Sequence, residues 1–136
     1  MNKKIINIVL KKGKSKIVSL TAYSKNVAKI LDKYCDIVLV GDSMANVLYG
    51  HKNTHKITLN QIIHHTLSVK KGIKNSLLVV DMPKGTYKNI SSAKKNAKLL
   101  MNLTGCDAVK LESNKKNFPI IKELVRSKTV SYTHLT

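Results

Sequence analysis

The chain has 136 residues, of which 43% are hydrophobic and 24% are charged, and its formal net charge at pH 7 is +18. This length is enough for one domain with a buried core, and the hydrophobic fraction is typical of a globular protein rather than a disordered one. All apolar runs are shorter than the roughly 18 residues of a membrane span. The basic segment 1–13 lacks a small-residue cleavage site, so we do not expect a signal peptide.

The positive charge comes almost entirely from lysine, because only Arg126 among the 25 basic residues is an arginine. The lysines are scattered over predicted helices and loops, and aromatic residues make up only 4% of the chain. Nucleic-acid-binding proteins generally use arginine for base and phosphate contacts and aromatic rings for stacking. We therefore expect a solvated lysine surface without a specific nucleic-acid partner, and a small basic nucleic-acid-binding module is kept as an alternative.

Short apolar runs alternate with helical periodicities along the chain. Strands are predicted at residues 17–20, 36–40, 77–80 and 108–111, and a loop at 41–56 follows the second strand. Thr58 is expected to cap the second helix and Gly72 to end it, while the third helix starts at Ser91 or Ser92 and ends before Gly105. The fourth helix is predicted at 119–127. The residues expected to face the core are Val27, Ile30, Leu31 and Tyr34 in the first helix, Ile62, Ile63, Thr66 and Val69 in the second, Ala93, Ala97, Leu100, Met101 and Thr104 in the third, and Ile120, Ile121, Leu124 and Val125 in the fourth.

Four successive βα units with strands that are apolar on both faces indicate an α/β fold with a buried parallel sheet. A complete (β/α)8 TIM barrel takes about 250 residues. The pattern therefore predicts either a smaller doubly wound domain or the first half of a TIM barrel. Cys35 and Cys106 each precede a predicted strand, so we expect two separate, reduced and buried thiols, in keeping with a cytoplasmic protein.

Acidic residues follow three of the predicted strands. Asp42 and Asp81 come directly after a strand, and Glu112 ends another. In a barrel the carboxyl ends of the strands build the active site, and Mg²⁺ is commonly held by one or two carboxylates together with water and substrate oxygens. A metal site is therefore predicted at this edge. The alternative is that each aspartate only caps the turn that follows it.

Two further features point to the same edge. Lys110 and Glu112 are two residues apart on one strand, so their side chains share a face with Leu111 opposite. The lysine can hold a carboxylate or stabilise developing negative charge, although a purely structural Lys110–Glu112 ion pair is the alternative. The turn at Asp42 and Ser43 offers backbone N–H groups and a hydroxyl to a small carboxylate or phosphate. His64 and His65 are interpreted as structural or exposed.

Five blocks of sequence, taken together, resemble the ketopantoate hydroxymethyltransferase family over roughly residues 15–126. Each block is modest alone, but their order and spacing are specific. The blocks are Leu20-Thr21-Ala22-Tyr23, Val38-Leu39-Val40-Gly41-Asp42-Ser43, Ile57-Thr58-Leu59 with His65-Thr66, Val80-Asp81-Met82-Pro83 and Asp107-Ala108-Val109-Lys110-Leu111-Glu112.

The resemblance implies the first half of a TIM barrel of the phosphoenolpyruvate/pyruvate type at residues 1–128, assembled as a homo-oligomer, commonly a decamer. It implies transfer of a hydroxymethyl group from 5,10-methylenetetrahydrofolate to 3-methyl-2-oxobutanoate, giving 2-dehydropantoate for pantothenate biosynthesis. Another Mg²⁺-dependent 2-oxo-acid enzyme of the same superfamily is the alternative.

The resemblance also implies the roles of individual residues. Asp42 and Asp81 would be Mg²⁺ ligands, with Glu112 joining the metal site through water. Asp42, Ser43, Asp81 and Lys110 would contact the 2-oxo acid. The family's proton-abstracting glutamate lies in the second half of the barrel, so no catalytic base is expected in this chain and the chain alone is expected to be inactive.

The chain departs from the family pattern at several places. Ser24, Ala45 and Ser113 stand where the family usually has an aspartate and glycines. At 129–136 the family would show a strand ending in Gly-His-Leu-Gly, but the glycines are missing and His134 falls one place late. We therefore do not assign the family histidine to His134, and we predict that 129–136 is a non-native or misread tail.

Overall fold

The computed structural model describes residues 2–127 and, for the backbone alone, residues 131–135. Within this part of the chain, five parallel strands form one sheet in sequence order. The strands are β1 (Ser19–Thr21), β2 (Ile37–Val40), β3 (Leu77–Asp81), β4 (Ala108–Ser113) and β5 (Ser131–Leu135), and the helices are α1 (Lys3–Lys11), α2 (Lys25–Leu31), α3 (Met44–Val47), α4 (Leu59–Lys70), α5 (Ile90–Thr104) and α6 (Phe118–Arg126), with 3₁₀ turns at Thr54–Lys56 and Lys115–Asn117.

The predicted α/β class and the four parallel strands are confirmed. Each strand pairs with the next one along the chain, and Val40 lies opposite Val80 while Asp81 lies opposite Lys110. Sequential parallel strands connected by helices are the arrangement of a TIM barrel rather than of a doubly wound sheet, whose strand order reverses. The register brings the carboxyl ends of β2, β3 and β4 to one edge.

The sequence did not predict the fifth strand. β5 pairs in parallel with β4, and Glu112 lies opposite His134. Part of the tail that the sequence marks as non-native, residues 129–130 and 136, lies outside the described residues, so the origin of 129–136 stays a prediction.

The two faces of the sheet have separate cores. One face packs against the helices through Val38, Val80 and Leu111. The other face carries a smaller cluster of Ile37, Leu77, Val79 and Ala108, against which Ile5 and Ile8 of α1 pack. The sequence did not predict α1, which covers this face. Because side chains alternate along a strand, Asp81 shares the smaller-cluster face with Val79, and Lys110 and Glu112 share it with Ala108.

Two aspartates connect neighbouring strands at the amino-terminal edge of the sheet. Asp36, just before β2, accepts a hydrogen bond from the Val18 N–H at 3.0 Å, and Asp107, just before β4, accepts one from the Leu78 N–H at 2.9 Å. Lysines of α1 approach the same carboxylates, with Lys11 Nζ 2.5 Å from Asp36 and Lys4 Nζ 3.7 Å from Asp107. These aspartates therefore hold α1 and the loops, and they lie at the edge opposite the predicted site.

The inward faces of α4 and α5 are confirmed, but two expectations about helix faces are wrong. Thr58 forms a capping box with Gln61, and the four α4 residues expected to face the core are buried. Around α2, however, Val27, Ile30 and the following Tyr34 are exposed. The helix packs through the buried Ala28, and of the residues expected to face the core only Leu31 is partly buried against it. In α6, Val125 is exposed because Ile120 and Leu124 form the buried face.

Gly72 allows α2 to approach the end of α4 closely. As the sequence predicted, α4 ends just before Gly72, with Lys70 as its last residue and Lys71 as its C-cap. A Cβ atom on Gly72 would lie 2.5 Å from the carbonyl oxygen of Lys25 and 2.8 Å from the N–H nitrogen of Lys29. Since these are backbone atoms of α2, only a shift of the whole helix could relieve the clash.

Gly72→Ala is therefore expected to lower the free energy of unfolding by about 2–3 kcal/mol, measured by urea denaturation. The matched control is Gly50→Ala, where a Cβ would meet open space but the residue has a φ of +64°. That control is expected to cost about 1 kcal/mol from backbone strain alone. Equal losses for the two variants would contradict the close approach of α2 to Gly72.

Both cysteines are free and buried, which confirms the expected separate thiols. Burial raises the pKa of each thiol, more than offsetting the Thr104 hydrogen bond at Cys106. Across the described residues, none of the helices has both the length and the apolar character that crossing a membrane requires.

Candidate active site

The predicted site residues lie at the carboxyl ends of three neighbouring strands. Asp42 follows β2 after Gly41, Asp81 is the last residue of β3, and Lys110 and Glu112 lie in β4. The sheet is parallel throughout, so these ends share one edge.

Asp81 connects Asp42 with Lys110. It is only 4% exposed; its Oδ1 lies 2.5 Å from Lys110 Nζ, and its Oδ2 accepts a hydrogen bond from the Asp42 N–H at 3.0 Å. Burial raises the pKa of the Asp81 carboxyl, whereas the Lys110 ammonium and the Asp42 N–H oppose that rise. The nearby Asp42 carboxylate adds to the rise. The lysine is therefore the main group that favours the charged form of Asp81.

This geometry bears on both structural alternatives. Lys110 pairs with Asp81 across the two strands, so the alternative of a Lys110–Glu112 ion pair is not what the structure contains. The other alternative expects each aspartate to cap the turn that follows it, but Asp81 accepts its hydrogen bond from the Asp42 N–H, in the turn after the neighbouring strand β2. Its second oxygen, however, contacts an ammonium group, which is an arrangement that turn capping does not require.

Glu112 stands somewhat apart from the two aspartates. Its side chain is exposed, and within the described residues no three histidine, cysteine or acidic side chains lie close enough together to hold one metal ion. Mg²⁺ does not need three protein ligands, because it usually keeps several waters and binds through one or two carboxylates. Asp42 and Asp81, which a hydrogen bond from the Asp42 N–H to Asp81 Oδ2 holds together, fit that requirement.

Ser43 and Gly41 shape the turn after β2. The Ser43 hydroxyl lies 2.7 Å from the hydroxyl of Tyr23. A Cβ on Gly41 would lie 2.8 Å from Ser43 Oγ and 3.5 Å from Asp81 Oδ2. The first distance is a clash and the second is an ordinary van der Waals contact, so the glycine makes room for the Ser43 hydroxyl.

Sequence reasoning missed Tyr87, which lies in the loop after β3. Burial raises the pKa of its hydroxyl, as do the carboxylates of Glu112, Asp42 and Asp81, while a hydrogen bond from the Glu112 backbone lowers it. Tyr87 thus lies within electrostatic range of all three site carboxylates. It lines a cavity of about 340 Å³ whose walls are Lys84, Gly85, Tyr87, Lys88, Glu112, Asn114 and Asn117. No motif or spacing in the sequence marks this tyrosine.

The three departures from the family pattern are accommodated locally. Ala45 is completely buried within α3, so its methyl group is packed. Ser24 occupies the N-cap position of α2, where its side chain makes no capping hydrogen bond. Ser113 is buried at the end of β4. None of the three replaces a residue that forms the Asp42–Asp81–Lys110 contacts.

Comparison with solved structures agrees with the barrel assignment. The chain superposes on a phosphonopyruvate hydrolase in complex with oxalate and Mg²⁺ with a TM-score of 0.76 and 10% sequence identity, covering 99% of this chain and 53% of that one. A 2,3-dimethylmalate lyase of the PEP mutase/isocitrate lyase superfamily gives a TM-score of 0.67 at 12% identity, again over 99% of this chain and 54% of that one. These likenesses agree with a fold that is the first half of a TIM barrel.

Sequence comparison identifies the family. The chain is 54% identical over 135 residues to the 3-methyl-2-oxobutanoate hydroxymethyltransferase of Pelagibacter ubique, covering 99% of this chain and 52% of that protein. It is 47% identical over 108 residues to the enzyme of the same name from Anaplasma marginale, covering 79% of this chain and 39% of that protein. It thus spans about half the length of the curated relatives it matches. The ketopantoate hydroxymethyltransferase family model matches residues 3–136, and the chain belongs to that family.

Proposed function

We propose that this chain provides the Mg²⁺ and 2-oxo-acid site of a 3-methyl-2-oxobutanoate hydroxymethyltransferase. The whole enzyme would transfer a hydroxymethyl group from 5,10-methylenetetrahydrofolate to 3-methyl-2-oxobutanoate, giving 2-dehydropantoate for pantothenate biosynthesis. Family membership supports this reaction over the superfamily and nucleic-acid-binding alternatives. A homo-oligomer and a cytoplasmic location are part of the same proposal, the latter in keeping with two free thiols.

The observation that carries the proposal is the contact of Asp81 with both the Asp42 N–H and the Lys110 ammonium. Asp42, Asp81, Glu112 and Lys110 together carry a formal charge of −2. A 2-oxo acid carries a further negative charge and would be repelled by this set alone. A divalent cation neutralises the set and makes binding of the oxo acid favourable.

Each site residue would have its own role in this reaction. Asp42 and Asp81 would hold Mg²⁺, with Glu112 acting through a water molecule, and the ion would supply Lewis-acid stabilisation of negative charge on the substrate. Lys110 would place a second positive charge beside the oxo acid, where negative charge grows as the C3 proton leaves. The Ser43 hydroxyl would donate a hydrogen bond to a substrate oxygen, and Asp42 and Asp81 would also contact the substrate.

The proton-abstracting base is proposed to lie beyond this chain. The only glutamates here are Glu112 and Glu123, and Glu123 pairs with Lys94 at 3.1 Å, between α6 and α5. Since Glu112 is assigned to the metal site, neither glutamate is assigned as the base. We therefore propose that the 136-residue chain binds Mg²⁺ and the oxo acid without completing the reaction.

Calorimetric titration of the chain with 3-methyl-2-oxobutanoate tests the proposal. Saturating Mg²⁺ is expected to tighten binding about 10- to 100-fold, because the cation removes the repulsion between the oxo acid and the carboxylates. Glu123→Gln is the control, since it alters a half-exposed surface pair away from the site and should leave both affinities unchanged. Equal affinity with and without Mg²⁺, or no binding at all, would contradict the proposal.

A further inference from the structure

A series of hydrogen bonds connects Ser43 to three residues that the proposed function does not use. The Tyr23 hydroxyl lies 2.7 Å from Ser43 Oγ. The backbone carbonyl of Tyr23 is 2.9 Å from His65 Nδ1, and His65 Nε2 is 3.0 Å from the Tyr49 hydroxyl. The series runs from the carboxyl edge of the sheet to α4 and on to the segment after α3.

The chemistry of these groups fixes the direction of two of the bonds. A backbone carbonyl can only accept, so His65 Nδ1 must carry a proton and donate it to Tyr23. In the neutral ring Nε2 then has no proton and accepts from the Tyr49 hydroxyl. His65 is therefore held as the Nδ1–H tautomer between two partners.

The helix that carries His65 is firmly held. α4 starts with the capping box of Thr58 and Gln61, and Ile62, Thr66 and Val69 are fully buried on its inner face. His65 itself is half-buried, and it lines two shallow surface cavities. A rigid helix thus presents one imidazole to the backbone of Tyr23.

We propose that His65 and Tyr23 are positioning residues for Ser43: His65 fixes the backbone of Tyr23, and the Tyr23 hydroxyl holds the Ser43 side chain in one rotamer facing the 2-oxo acid. Tyr49 holds the tautomer of His65 from the other side. The identity of the ligand rests on the proposed function, but the order imposed on Ser43 does not.

A serine hydroxyl that is free to rotate has three staggered positions. Fixing one of them in advance removes the entropy cost of ordering the side chain when the ligand binds. Ser43 Oγ occupies space that a side chain at Gly41 would fill, and the Tyr23 hydroxyl holds it there at 2.7 Å. A hydrogen bond of this kind corresponds to about a fivefold change in affinity.

Side-chain NMR on the 136-residue chain tests the inference without any ligand. Nitrogen shifts of the His65 ring report its tautomer, and the χ1 couplings of Ser43 report whether one rotamer is populated. The wild type is expected to show the Nδ1–H tautomer and one Ser43 rotamer. Tyr23→Phe and His65→Ala are expected to give averaged Ser43 couplings.

Two further variants serve as controls. His65→Asn can place its amide N–H near the position of Nδ1, so it is expected to restore the single rotamer that His65→Ala loses. His64→Ala changes the neighbouring exposed histidine of α4 and should leave Ser43 unaffected. A single Ser43 rotamer in both Tyr23→Phe and His65→Ala, or an Nε2–H tautomer of His65 in the wild type, would overturn the inference.

A titration separates this inference from the proposed function. In the presence of Mg²⁺, Tyr23→Phe is expected to bind 3-methyl-2-oxobutanoate about fivefold more weakly than the wild type, with unchanged Mg²⁺ affinity. If the wild type binds no oxo acid but Ser43 responds as described, the proposed function fails and the positioning of Ser43 stands. If the oxo acid binds equally to both proteins, the positioning role fails and the proposed function stands.

Discussion

Replacing Asp81 with asparagine is expected to weaken Mg²⁺ binding by about 100-fold or more, because even residues that only support a metal ligand change affinity by about 10- to 100-fold. Asparagine has nearly the same shape and can still accept the hydrogen bond from the Asp42 N–H. The variant therefore removes the charge while keeping the turn. Mg²⁺ calorimetry measures the effect, and a urea unfolding curve for the same sample establishes that the variant is folded.

Lys110→Met is the matched variant on the other side of this ion pair. It removes the positive charge but keeps an unbranched side chain, so Mg²⁺ affinity should stay the same or increase. Binding of the oxo acid should fall about 10- to 100-fold, as expected for the loss of a charge-assisted hydrogen bond. Equal Mg²⁺ affinity in Asp81→Asn and the wild type would contradict the assignment of Asp81 as a ligand.

Asp32→Ala is expected to lower the free energy of unfolding by about 3–4 kcal/mol, the largest effect on stability that we predict outside the site. Asp32, at the end of α2, is only 7% exposed. Its carboxylate accepts hydrogen bonds from the backbone N–H groups of Lys74, Asn75 and Ser76, at 2.8–3.1 Å, in the loop before β3. Alanine would leave these donors without their acceptor. Urea denaturation measures the loss.

Asp32→Asn and the pH dependence of stability provide the control. Burial alone would raise the pKa of Asp32, but the N–H groups of Ser76, Asn75 and Lys74 outweigh it and lower the pKa below 3.8. A lowered pKa stabilises the fold above the unfolded-state value, and this contribution is lost as the pH falls through the folded-state value. The wild type should therefore lose stability below about pH 4, and Asp32→Asn should lose less over the same range. Identical acid dependence in the two proteins would contradict this role.

Much of the fold could be predicted because strands and helix starts depend on local sequence. Apolar runs of four or five residues predict β2, β3 and β4, and the caps at Thr58 and Gly105 mark helix ends where local chemistry requires them. Periodicity also shows which residues share a helix face, but it does not show which face packs against the core. In α2 the buried residue is Ala28, because Gly72 lets the backbones come together there.

The positions of the candidate site residues could also be predicted, but their contacts could not. The strand-end rule identifies Asp42, Asp81, Lys110 and Glu112, since it depends only on where each strand stops. The partner of Lys110 was not predictable, because the register that places Asp81 opposite Lys110 is set by packing between the strands. Tyr87 lies in a loop near the site and His65 contacts the Tyr23 backbone from the face of a helix, and both placements depend on the whole fold.

Paramagnetic broadening by Mn²⁺, which prefers the same oxygen ligands as Mg²⁺, identifies the residues around the ion. The seven acidic residues of the chain make the experiment selective, because Asp32, Asp36 and Asp107 lie toward the amino-terminal edge of the sheet and Glu123 lies on α6. We expect the amide signals of Asp42, Asp81 and Glu112 to broaden first, and 3-methyl-2-oxobutanoate to strengthen the effect. Broadening centred on Asp36 or Asp107, or spread evenly over the chain, would contradict a divalent-cation site at the carboxyl ends of β2, β3 and β4.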